Sequence, residues 1–331
     1  MTADYPERIL GLIAAVWLGC VPGSASAQPN VSDEAVARQF TEALKCTPSE
    51  ATDSQALHIN GSKPFIYKTN GKVDLRLHVF SLAGHKAGAK SPSVVFYFGG
   101  GFVFGEIRRF QTQATHLALH GIVTILVDYR VTCRHRSTVL DSIADAKSAM
   151  RWVRKNAEEL GIDPSRIAAA GSSAGGLLAA ATALIADFDD PADENIDARP
   201  NALILYNPGL DTASPEAAAR MAILQGRPVA DRGREFSPFE HLNRGLPPTI
   251  IFQGTADVLT PIATAREFCV RAKALRSQCE LVSYPGAPHG FTEVWLGLDD
   301  PTSFPKTEYW AADTSRRTDA FLTKLGWLPK P

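Results

Sequence analysis

Residues 168–180 read AAAGSSAGGLLAA, a run of small apolar side chains in which Ser172 and Ser173 are the only polar ones. The stretch RIAAA at 166–170 reads as a short strand, and AGGLLAAATALIA at 174–186 as a helix of small residues. A strand that passes into a helix through Gly171-Ser172-Ser173-Ala174-Gly175 is the setting in which G-x-S-x-G makes a sharp turn with a serine at its tip. The backbone at such a tip is strained, and side chains two residues to either side would collide, so both flanks are Gly. Ser173 is then the tip and Ser172 its neighbour. The first amides of the following helix lie beside Ser173 Oγ, where negative charge develops when a serine attacks a carbonyl. The competing reading is a close strand–helix contact with no chemistry. The strand–turn–helix setting favours the nucleophile.

The rest of the chain supplies the matching frame. VDLRLHVF (73–80) alternates apolar and polar residues, as an edge or antiparallel strand does. SVVFYF (93–98) and IVTILVD (122–128) are continuous apolar runs, the pattern of strands buried on both faces. ALILY (202–206), TIIFQG (249–254) and ELVSY (280–284) are three more strands. Helical segments are expected at 31–45, 139–159, 262–275 and 308–325. Such alternation predicts an α/β fold with a mostly parallel central sheet and helices on both faces. With no interior linker, residues 28–331 read as one domain, and the irregular stretch 208–246 as an insertion or short lid.

A serine hydroxyl needs a base and an oxyanion site before it attacks well at neutral pH. The base and acid of such a site follow the serine in the order acid, then His. Downstream of Ser173 stand only His241, in SPFEHLN, and His289, in YPGAPHGF just past the last strand. His289 is the candidate base, and His241 reads as a solvated residue of the insertion. Asp257 lies three residues past the strand TIIFQG and is the candidate acid, with Asp211 in LYNPGLDT as its rival. For Asp211 a hydrogen-bonding role in a turn is the simpler account. Upstream, FYFGGGFVFG (96–105) sets three glycines directly after a buried strand, where bare backbone can turn its N–H groups to a substrate.

These stretches, together with VDYR and DAKSAMRWVRKNAEELGIDPSRIAAAGSSAGG, resemble the α/β-hydrolase superfamily between about residues 93 and 291. The nearer likeness is to its hormone-sensitive-lipase-like branch and to secreted bacterial esterases of the acetylxylan and feruloyl type. The resemblance implies that Ser173 is the nucleophile, Asp257 the triad acid and His289 the base. It implies oxyanion donors at Gly100, Gly101 and Ala174, and no metal or organic cofactor. It also implies a small-molecule or oligosaccharide ester as substrate. Two positions depart from the branch: Phe98 stands where the glycine loop usually opens with His, and Ser172 where an acidic residue usually precedes the nucleophile. Phe98, Phe102 and Phe104 beside the loop are candidates for an acyl slot, with core packing as their other role. A prolyl-oligopeptidase-like peptidase uses the same triad but needs room for a propeller domain. A binding module on a hydrolase scaffold is the alternative outside catalysis.

Composition bounds the remainder. The chain has 331 residues, is 45% hydrophobic and carries a formal net charge of −1, which gives no reason to expect nucleic acid or an anionic membrane as partner. An apolar run from Ile9 to Val21, then Pro-Gly and Ala25-Ser26-Ala27, matches a signal peptide cleaved after Ala27. The run is short for a membrane span. Lipid attachment at Cys20 is the competing reading of the same segment. Export would leave Cys46, Cys133, Cys269 and Cys279 in an oxidising compartment. Cys269 and Cys279, on a helix and on the strand after it, are expected to form a local disulfide, against two buried thiols as the alternative.

Overall fold

The computed structural model describes Cys46 and residues 58–71, 73–292 and 307–329. The signal peptide, Cys20 and the helix expected at 31–45 lie outside the described residues. Eight strands form one sheet: β1 (Lys63–Asn70), β2 (Val73–Phe80), β3 (Ser91–Tyr97), β4 (Val123–Val127), β5 (Ile162–Ser172), β6 (Ala202–Tyr206), β7 (Thr249–Gly254) and β8 (Cys279–Tyr284). The helices are α1 (Gln111–Leu119), α2 (Val139–Lys155), α3 (Ser173–Leu184), α4 (Pro215–Gln225), α5 (Ile262–Ala274) and α6 (Thr307–Lys324), with shorter single turns between them.

The strand order is β1-β2-β4-β3-β5-β6-β7-β8. The β1–β2 and β2–β4 pairs are antiparallel, and every pair from β4 to β8 is parallel. All residues of β4, β6 and β7 are buried, as their unbroken apolar runs require. On β5 the alanines 168–170 lie in register between Val94, Val95 and Phe96 on β3 and Ala202, Leu203 and Ile204 on β6. Small side chains there let α3, buried from Ala174 to Leu184, press close to the sheet.

Several elements differ from the sequence expectation: helix α1 was not expected, and β5 begins at Ile162, ahead of the short strand expected at 166–170. β1 had no strand signal, because its apolar residues are confined to Phe65-Ile66-Tyr67 between polar ends. Helix α2 stops at Lys155, where Asn156 closes it by donating from Nδ2 to Trp152 O at 2.7 Å, and turns carry the chain to Gly161. The expected irregular insertion holds a regular helix, α4, started by Ser214 as cap, with Pro215 in its first turn.

Cys269 on α5 is bonded to Cys279 at the head of β8, and Cys46 to Cys133. The first bridge closes a short loop, so its loss by Cys269→Ser is expected to cost about 2–3 kcal/mol in the chain-entropy account. Peptide mapping of the unreduced protein should recover both cysteines in one linked pair; two alkylated thiols would contradict the pairing. No helix among the described residues is long and apolar enough to cross a membrane.

Candidate active site

Because β3 and β5 to β8 run parallel, their C-terminal ends share one edge of the sheet, and each feeds a loop of the site. β5 ends at Ser172, and Ser173 opens α3 with φ +51°, a left-handed conformation that a residue with a side chain seldom takes. The two flanking glycines have different nearest obstacles. A Cβ on Gly171 would stand 2.3 Å from Gly175 O, and one on Gly175 would stand 2.1 Å from Tyr97 O at the end of β3. Gly171 is thus excluded from bearing a side chain mainly by the turn itself, with Tyr97 O also at 2.8 Å, and Gly175 by the neighbouring strand.

His289 lies past β8 and Asp257 past β7, and both are buried. His289 Nε2 is 2.8 Å from Ser173 Oγ, and His289 Nδ1 is 2.8 Å from Asp257 Oδ2. In the tautomer with hydrogen on Nδ1, the ring donates to Asp257 and accepts the serine hydroxyl. Asp257 is held from all sides. Its Oδ1 accepts the amides of Leu259 and Thr260 at 3.0 and 2.8 Å. Its Oδ2 accepts Gln253 Nε2 and Thr260 Oγ1, each at 2.8 Å. Asp211 turns the other way: its Oδ1 accepts the amides of Ala213 and Ser214 at 2.8 and 3.1 Å, which is a turn role. His241 places Nε2 3.2 Å from Arg234 O, away from these groups.

The glycine loop follows β3. A Cβ on Gly99 would meet Ser172 Oγ at 2.9 Å and Ser173 Cβ at 3.3 Å, so the loop lies directly on the serine turn. Gly100 and Gly101 have φ of +135° and +63°. Among the described residues no backbone or side-chain acceptor takes either amide. No side chain caps the first turn of α3, which leaves the amide of Ala174 equally available. Three amides without an acceptor among the described residues thus belong to the glycine loop and to the first turn of α3, the two segments that meet at the serine.

Phe98, Phe102 and Phe104 are all buried among protein neighbours. Phe98 stacks on Tyr129 with ring centroids 4.1 Å apart, and the Arg134 guanidinium lies 5.9 Å from its centroid on the ring face. Tyr129 also donates its hydroxyl to Phe98 O at 2.6 Å. The aromatic stack and this bond hold the start of the loop where the related branch has a histidine. Phe102 belongs to the main core, and Phe104 packs with Val103, Cys133 and Leu224. Gln253, Thr260, Tyr129 and Arg134 were not singled out from sequence. For Thr260 a signal exists, since a threonine three residues after an aspartate commonly shares its turn hydrogen bonds.

A family model described as the alpha/beta hydrolase fold matches residues 94–293. Esterase LipC of Mycobacterium tuberculosis is 34% identical over 231 residues, which cover 64% of this chain and 56% of LipC. The chain thus spans little more than half the length of that relative. Among solved structures, the apo form of Thermogutta terrifontis esterase 2 superposes with a TM-score of 0.74 at 37% identity, covering 84% of this chain and 99% of the other. The butyrate-bound form of that esterase gives 0.72 at 38%, covering 82% and 97%.

Proposed function

The chain belongs to the α/β-hydrolase family, and on that footing we propose that it is an exported serine carboxylesterase acting on small acyl esters. The observation that carries the reading is the unbroken line Asp257–His289–Ser173, with 2.8 Å at each joint, facing three unspent amide donors. Ser173 Oγ attacks the ester carbonyl while its proton passes to His289 Nε2. Asp257 fixes the ring tautomer and stabilises the imidazolium that forms. The carbonyl oxygen gains negative charge and is met by the amides of Gly100, Gly101 and Ala174. His289 then returns the proton to the departing alcohol. Water, activated by the same ring, attacks the acyl-enzyme and releases Ser173. Labelling by a fluorophosphonate probe tests the nucleophile, since a binding module on this scaffold stays unlabelled. Hydrolysis of p-nitrophenyl acetate but not of a matched anilide separates esterase from peptidase.

Small acyl groups are favoured by two features. The apolar wall at the glycine loop, to which Phe98, Phe102 and Phe104 belong, is filled by its own packing, and extra methylenes in a filled site are costly. The stretch 208–246 carries Arg227, Arg232, Arg234 and Arg244, which does not make the broad apolar surface that aggregated lipid requires. The butyrate-bound relative points the same way. In a p-nitrophenyl ester series, kcat/KM is expected to fall about 10-fold or more from butyryl to octanoyl. A preference for decanoyl or longer chains would overturn the small-acyl reading and leave the triad in place. Acetyl and feruloyl groups on plant polysaccharide are the natural esters we propose, from family likeness. Two disulfides and the apolar segment Ile9 to Val21 support export.

A further inference from the structure

Helix α4 bridges the two halves of the site. On its N-terminal side, Gly209 donates its amide to Ser173 O at 3.0 Å, and Asp211 and Ser214 organise the turn into the helix. On its C-terminal side, Leu224 packs against Val103 and Phe104 of the glycine loop. Gln225 donates to Thr132 Oγ1 at 3.2 Å and accepts from the amide of Val139 at 2.9 Å. Between these anchors stands Arg220, half-buried.

Arg220 makes no ion pair and no hydrogen bond among the described residues. Glu216, one turn earlier on the same helix, is well spaced for an i,i+4 pair and is not taken up. Asp211 is spent on backbone amides, and Asp257 on five donors. Leu224, one turn later on the same side of α4, packs against Val103 and Phe104, which sets Arg220 on the side of the helix toward the glycine loop. Burial holds the guanidinium below its ordinary pKa, while the charges of Asp211, Glu216 and Asp257 push the other way. It is charged at every pH at which an esterase works. No Arg220 nitrogen is sealed from solvent. A half-buried arginine normally has a partner, because a desolvated unpaired charge is unfavourable.

We propose that Arg220 is a specificity residue that receives a carboxylate on the substrate, so that the preferred esters carry an anionic group close to the ester bond. This rests on the esterase reading above. The guanidinium fork matches a carboxylate in two parallel N–H···O bonds, and the partly desolvated setting strengthens them.

The test compares three esters of similar size at low salt: phenyl butyrate, monophenyl glutarate with the charge on the acyl side, and 4-carboxyphenyl butyrate with the charge on the alcohol side. Wild type is expected to prefer one of the charged esters over phenyl butyrate in kcat/KM. Arg220→Gln should lower that value about 10–100-fold while changing phenyl butyrate less than about 3-fold. Arg220→Lys, which keeps the charge, should recover part of the loss. Turnover of phenyl butyrate by the variant shows that the fold and triad survive. Equal losses on all three esters would assign Arg220 a packing role and overturn the proposal, as would no effect on any of them. If wild type hydrolyses phenyl butyrate but neither charged ester, the esterase reading stands and the anionic class falls. If it hydrolyses none of the three, both fall.

Discussion

Ser173→Ala is expected to lower kcat by about 10⁶, the scale of losing a triad nucleophile. The reason is local. Among the described residues the hydroxyl bonded to His289 Nε2 is that of Ser173, at 2.8 Å, and its position depends on a left-handed φ held by the glycines around it. Alanine removes the oxygen and leaves that backbone unchanged, so the thermal unfolding midpoint should move little. Ser172→Ala is the control. Ser172 is fully buried on the flank of the turn, with its Oγ toward Gly99, and has no step in the proposed chemistry. It should keep substantial activity. Release of p-nitrophenol from the acetate ester measures both variants, and a comparable loss from each would mean that the turn has been read in the wrong register.

Asp257→Asn should cost about 10⁴ in kcat, the scale seen when a triad acid stops fixing its histidine. Here the arrangement of donors makes the reason specific. The carboxylate accepts two amides, one side-chain amide, one hydroxyl and the imidazole N–H, and gives nothing back. An asparagine has one acceptor oxygen and one NH₂ group. If its oxygen stays on the Leu259 and Thr260 amides, its NH₂ faces His289 Nδ1 and selects the tautomer that cannot accept from Ser173. Turning the amide over sets NH₂ against those two backbone N–H groups instead, which is unfavourable in a buried site. Asp211→Asn keeps the one oxygen that its turn uses and should act on KM or folding more than on kcat. A larger fall in kcat from Asp211→Asn than from Asp257→Asn would exchange the two assignments.

How much of this was legible depended on whether the signal was local. β2, β6 and β7 have the bounds their patterns predict, because alternation and unbroken apolar runs are read one strand at a time. The strand-to-helix turn was legible because its glycine spacing is a steric demand of a few consecutive residues. Even so, the partner that excludes a side chain at Gly175 is Tyr97 O, some eighty positions earlier, and no local pattern shows that. β1 was missed because it pairs along one side only and exposes Lys63, Pro64, Thr69 and Asn70, so its buried face is limited to Phe65 and Tyr67. Helix α4 was missed because the Gly, Pro and Arg residues after it gave the whole stretch an irregular look. Its Ser-Pro-Glu start was nevertheless a legible cap. The substitute for the missing histidine, Tyr129 stacked on Phe98, joins β3 and β4 across the sheet, and only the assembled sheet reveals it.

β8 is the outermost strand at its end of the sheet among the described residues, paired on one side by β7, and the proposed base is carried on the loop that leaves it. A terminal strand with a single hydrogen-bonded neighbour is among the first pieces of a sheet to detach in partial opening, well below the free energy of complete unfolding. Catalytic competence therefore has its own failure mode, distinct from melting of the interior around β4, β5 and β6. Loss of β8 withdraws the imidazole while the serine turn and the glycine loop remain assembled. The Cys269–Cys279 link fastens the first residue of this strand to α5, one end of a segment whose other end delivers His289. The half-life of activity under heat or reductant is accordingly expected to follow how long that margin stays docked.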